Sequence, residues 1–513
     1  MDLPIALDSH LPQPLHAQLY AELRQAILTG RLLPSQRIPS TRSLAQSLSI
    51  SRTTVTQSYE QLLSEGYLET IVGSGTYVCA QLPDDLLCSQ QVEPSTQQAA
   101  LPIQFSQQGR RLTEIPFSLP AEPKATISFR YGRPALKDFP LNLWRKLLSR
   151  HCTATPNWLD YASDFRGYYP LREAIARYVA RARAVQCHPE QIILTNGTQQ
   201  ALDLVMRLLI DPGEVIAVED PGYLSARRVF LSYGASLYPV PVDESGLQVD
   251  QLIHEGAEKA QIQKIRLVYV TPSHQFPTGS TLSLPRRLEL LAWAQQNHAL
   301  ILEDDYDSEY RYGDRPIPAL QGLDRNHSVI YISTFSKVLF PSLRIGYLIV
   351  PSNLVLPFTQ MKWLSDRQLP TLEQQVLAEF IADGHLESHI RKMRSHYDHR
   401  RQVLVQSLKQ HFGDRMVVLG EKAGLHIMVR MNLNLDAKEI MERAAQVGIG
   451  LMSAHPCYLP SNWHEPNADL DSNPNSSNAN SIDRRCEFIF GYSELDEAEI
   501  QVGISRLAKA LNP

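Results

Sequence analysis

Four short apolar runs constrain most strongly what this chain can fold into: Val215 to Val218, Ile265 to Val270, Leu300 to Leu302 and Val329 to Ile332. Each is too short for a typical helix and is nearly continuous rather than alternating, as a strand is when both of its faces are buried. Longer stretches with helical periodicity separate them. The pattern predicts an α/β domain with a mostly parallel sheet covered by helices. Each run ends in a polar cluster: Glu-Asp-Pro-Gly-Tyr at 219–223, Thr-Pro-Ser-His-Gln-Phe-Pro-Thr-Gly at 271–279, Glu-Asp-Asp-Tyr-Asp-Ser-Glu-Tyr at 303–310 and Ser-Thr-Phe-Ser-Lys at 333–337. Open α/β sheets bind ligands beyond the carboxyl ends of their strands, so the four clusters are expected to meet at one site.

The amino-terminal part follows a different rule. Leu15, Leu19, Leu23 and Ile27 recur at helical spacing until Gly30. Ser40 is placed to cap a second helix from Thr41 to Ser47, Ser49-Ile50 makes a turn, and Ser51 caps a third helix through Val55, Tyr59 and Leu62 to Gly66. Tyr67 to Ile71 and Thr76 to Val78 then read as strands joined across Val72-Gly73-Ser74-Gly75, where the glycines permit the turn. Residues 1–80 are therefore expected to form a winged helix-turn-helix, an α+β module. Residues 81–125 turn to Gln, Pro and Ser and read as a flexible linker. Residues 126–513 hold the α/β domain, with a large part at about 165–360 and a smaller carboxy-terminal α/β subdomain interrupted by a low-complexity loop at 467–483.

The formal net charge is −5, which excludes a uniformly basic coat but not a local basic face. No acidic residue lies between Glu22 and Glu60, while Arg24, Arg31, Arg37, Arg42 and Arg52 all do. Arginines around a helix-turn-helix neutralise phosphates, and Ser-Arg-Thr-Thr at 51–54 sets short donors and one long cation where a recognition helix meets the major groove. The stretch from Pro14 to Val78 resembles the winged-helix domain of GntR-type bacterial transcription regulators over nearly its full extent. That resemblance implies promoter DNA as a partner and DNA contacts from Arg42, Ser51, Arg52, Thr53, Thr54, Gly75 and Thr76. Pro34-Ser35 stands where the family usually has Pro-Gly and Ile38 where leucine is common; neither change removes a phosphate donor.

The strongest chemical signal is Lys337, just past a predicted strand, with Arg344 seven residues on. A lysine amine forms a Schiff base with an aldehyde cofactor such as pyridoxal 5'-phosphate, and the protein must then anchor the phosphate, protonate the pyridine nitrogen and orient the ring. Asp304 is the candidate opposite the pyridine nitrogen, and Tyr306, two residues on, the candidate donor to the ring hydroxyl. Gly197, Thr198 and Gln199 precede the helical run Gln200 to Leu209, and the amides at that helix start suit a phosphate, with Arg344 and Thr334 completing the cup and Tyr223 stacking on the ring. Six scattered cysteines with no CxxC pair argue against a metal site.

From about Phe129 onward the chain resembles the fold-type I aminotransferases, and an aminotransferase-like domain behind a GntR-like winged helix resembles the MocR family of pyridoxal-phosphate-dependent transcription regulators. The resemblance implies a homodimer, in which Tyr161 is similar to the tyrosine sent across to the neighbour's phosphate. Two departures stand out. Phe276 replaces the asparagine of Asn-Pro-Thr-Gly, with Gln275 or His274 as the substitute contact, and Ile489 occupies the place of the arginine that grips a substrate carboxylate, with Arg484 and Arg485 nearby. The expected function is a DNA-binding regulator that senses an amino compound through aldimine exchange at Lys337; the alternative is a working aminotransferase that carries a DNA-binding module. The amino terminus has no secretion-signal pattern and no run of eighteen apolar residues occurs, so a cytoplasmic protein is expected.

Overall fold

The computed structural model describes residues 5, 7–8, 12–83, 104–115, 125–153, 159–252, 264–313, 317–460 and 486–511. They fall into two units that divide between Gln104 and Phe105. The loop expected at 467–483 lies outside the described residues, as do 84–103 and 116–124 of the stretch read as linker.

In the first unit, helices α1 (Leu15–Leu28), α2 (Thr41–Ser47) and α3 (Arg52–Ser64) precede strands β1 (Leu68–Ile71) and β2 (Gly75–Val78). Leu19, Leu23 and Ile27 meet Leu44, Val55, Tyr59 and Leu62 in a core that takes in Leu68 and Val78. Both serines cap as expected: the Ser40 hydroxyl accepts from the Ser43 amide at 3.1 Å and the Ser51 hydroxyl from the Thr53 amide at 3.2 Å, which satisfies donors that a helix start leaves open. The hairpin is antiparallel, with Ile71 opposite Gly75. The segment before α2 adds a third edge to it, because the amides of Ser35 and Ile38 donate to the carbonyls of Val78 and Thr76.

The second unit opens with helix α4 (Gln107–Glu114), inside the stretch whose composition reads as linker. No residue of α4 is buried, so its sequence carries no apolar stripe. It is held at Tyr233, whose carbonyl accepts from Arg111 Nη1 at 3.4 Å and whose hydroxyl is hydrogen-bonded to Gln108. There follow β3 (Ile127–Ser128), α5 (Leu141–Thr153), α6 (Tyr169–Arg183), β4 (Ile192–Thr195), α7 (Thr198–Leu209), β5 (Val215–Asp220), α8 (Leu224–Ser232), β6 (Ser236–Asp243) and β7 (Gly246–Leu247). Then come β8 (Ile265–Val270), α9 (Leu284–Asn297), β9 (Leu300–Asp305), α10 (Leu320–Leu323), β10 (Val329–Thr334) and β11 (Gly346–Ile349).

Strands β4 to β11 form one eight-stranded sheet in the order β4-β11-β10-β9-β8-β5-β6-β7. The four runs that the sequence singles out are neighbours in it, all parallel. β11 runs against both β10 and β4, so β4 points the same way as the parallel set. The carboxyl ends of β4, β5, β8, β9 and β10 therefore lie along one edge. Three strands extend past their apolar runs into the polar clusters, through Glu219-Asp220, Glu303-Asp304-Asp305 and Ser333-Thr334.

After α11 (Val355–Asp366), α12 (Thr371–Ala382) and α13 (His385–Phe412), a four-stranded antiparallel sheet forms from β12 (Met416–Leu419), β13 (His426–Met431), β15 (Met452–Ser453) and β16 (Glu487–Gly491) in the order β12-β13-β16-β15. Helices α14 (Ala437–Gln446) and α15 (Glu497–Leu511) complete this subdomain. Alternation splits β13 and β16 into two faces. Ile427, Val429, Phe488 and Phe490 pack with Leu404, Leu408, Ile504 and Leu507, while Met428 and Ile489 pack with Phe276 beyond β8. β14 (Ile449–Gly450) pairs in parallel with β3, which draws Ile127 and Phe129 into the same core, far from their place in the chain. Among the described residues no helix is long and apolar enough to cross a membrane.

Candidate functional site

In the first unit, the residues implied in DNA contact sit at the start of α2, the start of α3 and the wing. Arg42, Ser51, Arg52 and Thr53 are exposed, and Thr54, Gly75 and Thr76 are half-buried. The side chains of Arg42 and Arg52 carry no hydrogen bond or ion pair among the described residues. By contrast, Arg24, which the same acid-free window contains, is turned inward and donates to the Tyr67 hydroxyl at 2.8 Å. Charge segregation in the sequence thus resolves into outward cations and one that braces the fold.

In the second unit, the strand ends bring the predicted cofactor residues to one place. Lys337 lies in the tight turn after β10, half-buried, and its Nζ donates to the Gly132 carbonyl at 2.8 Å. Burial lowers the pKa of its ammonium; Asp307 and Asp304 pull it back up, and Arg130 and Arg344 lower it. On the adjacent strand β9, Asp304 stands opposite Ile332 of β10. The Tyr269 hydroxyl donates to Asp304 Oδ2 at 2.8 Å, but Oδ1 is buried with no hydrogen-bond partner among the described residues. Burial pushes this carboxyl up to about 7, against the hydrogen bond from Tyr269.

The glycine before α7 is required by its surroundings. Gly197 has φ 78° at the helix N-cap, and a Cβ there would stand 2.8 Å from Arg344 Nη2, which donates to the Asn196 carbonyl at 2.7 Å. Thr198 and Gln199 follow in the first turn of α7, a helix start with open amides. Burial raises the Tyr223 hydroxyl, and Ser225, Asp304, Gln199 and Arg344 all act on it, so Tyr223 joins the same cluster. The Thr334 hydroxyl receives the Ser336 amide at 3.2 Å.

Tyr306 is brought to the site, but through a partner that spacing does not reveal. Its hydroxyl lies 3.0 Å from His274 Nδ1, which is also 3.0 Å from both carboxylate oxygens of Asp307. Of the two alternatives to the missing asparagine, Gln275 is consumed: its amide donates to the Pro221 and Phe276 carbonyls and its oxygen accepts from Thr278. His274 is the one left facing Tyr306. Phe276 lies within an aromatic group, 4.9 Å from the Tyr131 ring, 5.6 Å from Tyr223 and 5.3 Å from His426. His274, Asp307 and His426 are all buried and present ligand-type atoms within 4.8 Å of one another, the one such group among the described residues. His274 Nδ1 pairs with Asp307 and Tyr306, and His426 Nε2 lies 3.3 Å from the Pro277 carbonyl.

Sequence reasoning missed Gly132, Asp307 and His426. Gly132 acts through a backbone oxygen 205 positions from Lys337, which leaves no side-chain signal. Asp307 lies inside a cluster already singled out, and only the third dimension separates it from its acidic neighbours. Ile489 is buried opposite Met428, with no shift in the β13–β16 register. Arg430, on the same face, is taken by Glu487 at 2.7 Å. Arg484 and Arg485 lie outside the described residues. Tyr161 is exposed, with Arg367 5.6 Å over its ring.

Residues 130–463 match the family of class I and II aminotransferases, and residues 15–78 match the gntR family of bacterial regulatory proteins. Together with the geometry, this defines a winged-helix DNA-binding regulator that carries an aminotransferase-fold domain. The chain is 39% identical to the probable rhizopine catabolism regulatory protein MocR of Rhizobium meliloti, over 86% of each chain. It is 34% identical to the uncharacterised HTH-type transcriptional regulator YdeL of Bacillus subtilis, over 99% of each. Among solved structures it resembles the multiple substrate aminotransferase of Thermococcus profundus, with a TM-score of 0.69 and 27% identity, covering 79% of this chain and 97% of that one. The chain belongs to the MocR family of GntR-type transcription regulators.

Proposed function

We propose that this regulator holds pyridoxal 5'-phosphate at Lys337 and senses an amino compound there, so that occupancy of the second unit alters promoter binding by the first. The observation that carries the reading is a complementary pair at the carboxyl ends of two adjacent strands, one residue at the end of β9 and the other in the turn after β10. Asp304 Oδ1 is a buried acceptor with no donor, and Lys337 is an amine whose charged form burial disfavours. A protonated ring nitrogen would supply the donor that Asp304 lacks, and an amine of lowered pKa is the better nucleophile. Gly197, Thr198 and Gln199 at the start of α7, with Arg344 and Thr334, would hold the phosphate; Tyr223 would lie on the ring face and Tyr306 at the ring hydroxyl. The absent side chain of Gly197 lets the Arg344 guanidinium lie against the start of α7, which supports the phosphate position. When bound, the cofactor supplies an aldehyde that condenses with amines and a ring that absorbs visible light.

Regulation further requires that the effector favour one state of the protein; equal affinity for all states would change nothing. A homodimer in the cytoplasm belongs to the same reading. Its support is the exposed apolar surface at Leu159, Tyr161, Trp363 and Leu364, where Arg367 lies over both aromatic rings. Such a patch on a folded chain marks an interaction surface.

Likeness to a solved aminotransferase favours a second reading, an enzyme with turnover. Absorbance titration of the purified chain with pyridoxal phosphate, then with amines and a keto acid, separates the two. The sensor gives a visible band that amines shift without multiple turnovers; Lys337→Ala loses the band and still binds DNA. Multiple turnovers would instead establish the enzyme, and a Lys337→Ala protein with the parental band would overturn both.

A further inference from the structure

We infer that Arg37 is a contact to the phosphate backbone of duplex DNA at the wing, an assignment that rests on the DNA-binding role of the first unit. Arg37 pairs with Tyr77 through an antiparallel bridge, and Tyr77 pairs on its other side with Glu69. Residues directly opposite one another in a sheet share a face, so Arg37, Tyr77 and Glu69 stand in one cross-strand row. The plain fate of an arginine in such a row is to reach over the tyrosine to the carboxylate. It does not do so. Arg37 is exposed and makes no hydrogen bond or ion pair among the described residues.

Its guanidinium is drawn along the sheet toward the hairpin end instead. Gly75 lies two residues before Tyr77, on the same face, and a Cβ built there would stand 2.8 Å from Arg37 Nε and 3.3 Å from Nη2. The absent side chain of Gly75 is thus the slot through which the guanidinium passes. The tip beyond it, residues 71–74, is exposed, and the Ser74 and Tyr77 hydroxyls are joined at 2.6 Å, which stiffens the turn. An unpaired, forked cation lying against a protruding hairpin suits a phosphodiester, whose oxygens it can take in pairs. Arg37 then acts at the wing as Arg42 and Arg52 are placed to act at the starts of α2 and α3.

The test measures binding of the full chain to random-sequence duplex DNA over a series of salt concentrations. Each phosphate neutralised contributes about 0.9 to the slope of log affinity against log salt. Arg37→Ala is expected to weaken binding and flatten the slope by about 0.9, with an unchanged melting temperature, while Arg37→Lys keeps the slope. Gly75→Ala should weaken binding at least as much, since a β-carbon there both strains a backbone at φ 132° and displaces the guanidinium, and the double variant should flatten the slope no further than Gly75→Ala alone. Arg42→Ala and Arg52→Ala serve as comparators. If both flatten the slope and Arg37→Ala does not, the assignment of Arg37 is overturned; if none of the three does, the placement of the whole DNA face fails with it.

Discussion

Asp304 is a buried carboxylate one of whose oxygens has no hydrogen-bond partner among the described residues, and that has a cost which pH can expose. Burial pushes it from 3.8 to about 7. The folded state therefore holds this proton more tightly than the unfolded chain does. Stability without cofactor is present while the group is protonated and falls as pH rises from about 4 through about 7, by at most about 4 kcal/mol for this residue. Asp304→Asn should remove its share: little change near pH 4, and a higher denaturation midpoint than the parent near pH 8, both measured on cofactor-free protein. An equal pH dependence in the two proteins would contradict the burial argument. The same variant should bind pyridoxal phosphate more weakly, because an amide does not complement a protonated ring nitrogen. Glu219, Glu303 and Glu309 are also pushed up to about 7 by burial, so part of the parent's pH dependence should persist.

At the scale of elements, the site is built from strand ends and helix starts, and Gly197 is the narrowest joint among them. A β-carbon at its φ of 78° is strained and meets the Arg344 guanidinium. Gly197→Ala should cost about 1–2 kcal/mol of stability, read by chemical denaturation, and should weaken cofactor affinity by more than that loss explains; unchanged affinity would remove Gly197 from the phosphate site. The sheet was legible in the sequence because β5, β9 and β10, and β8 after Arg266, are buried on both faces and so read as nearly continuous apolar runs. Their true ends were not, since Glu219, Glu303 and Asp305 continue the strands as buried charges. Glu303, for instance, accepts the Leu320 and Gln321 amides at 2.8 Å, and Asp305 binds Arg183 at 2.8 Å. Such charges look like loop until their partners, more than a dozen residues away, are in place. The caps at Ser40 and Ser51 were legible because capping is local. Helix α4 was hidden by having no buried face, and the tie from Phe129 to the carboxy-terminal core by its length in sequence.

For the whole molecule, the proposed function requires that a cofactor-binding unit influence a DNA-binding one and that copies of the chain meet. Trp363 and Leu364 carry exposed apolar surface beside Tyr161. Replacing Leu364 with Glu should shift sedimentation toward the monomer while the melting temperature stays within a few degrees; an unchanged dimer would place the interface elsewhere. The central claim, however, is the bond to one lysine, and hydride trapping tests it most directly. The chain is incubated with pyridoxal phosphate, whose aldehyde and an amine join with loss of water, and borohydride then reduces the C=N bond to a stable secondary amine. Peptide mass mapping locates the product. The expected result is the added mass on the peptide containing Lys337 and on no other lysine at equimolar cofactor. Added mass spread over surface lysines, with Lys337 unmodified, would contradict it.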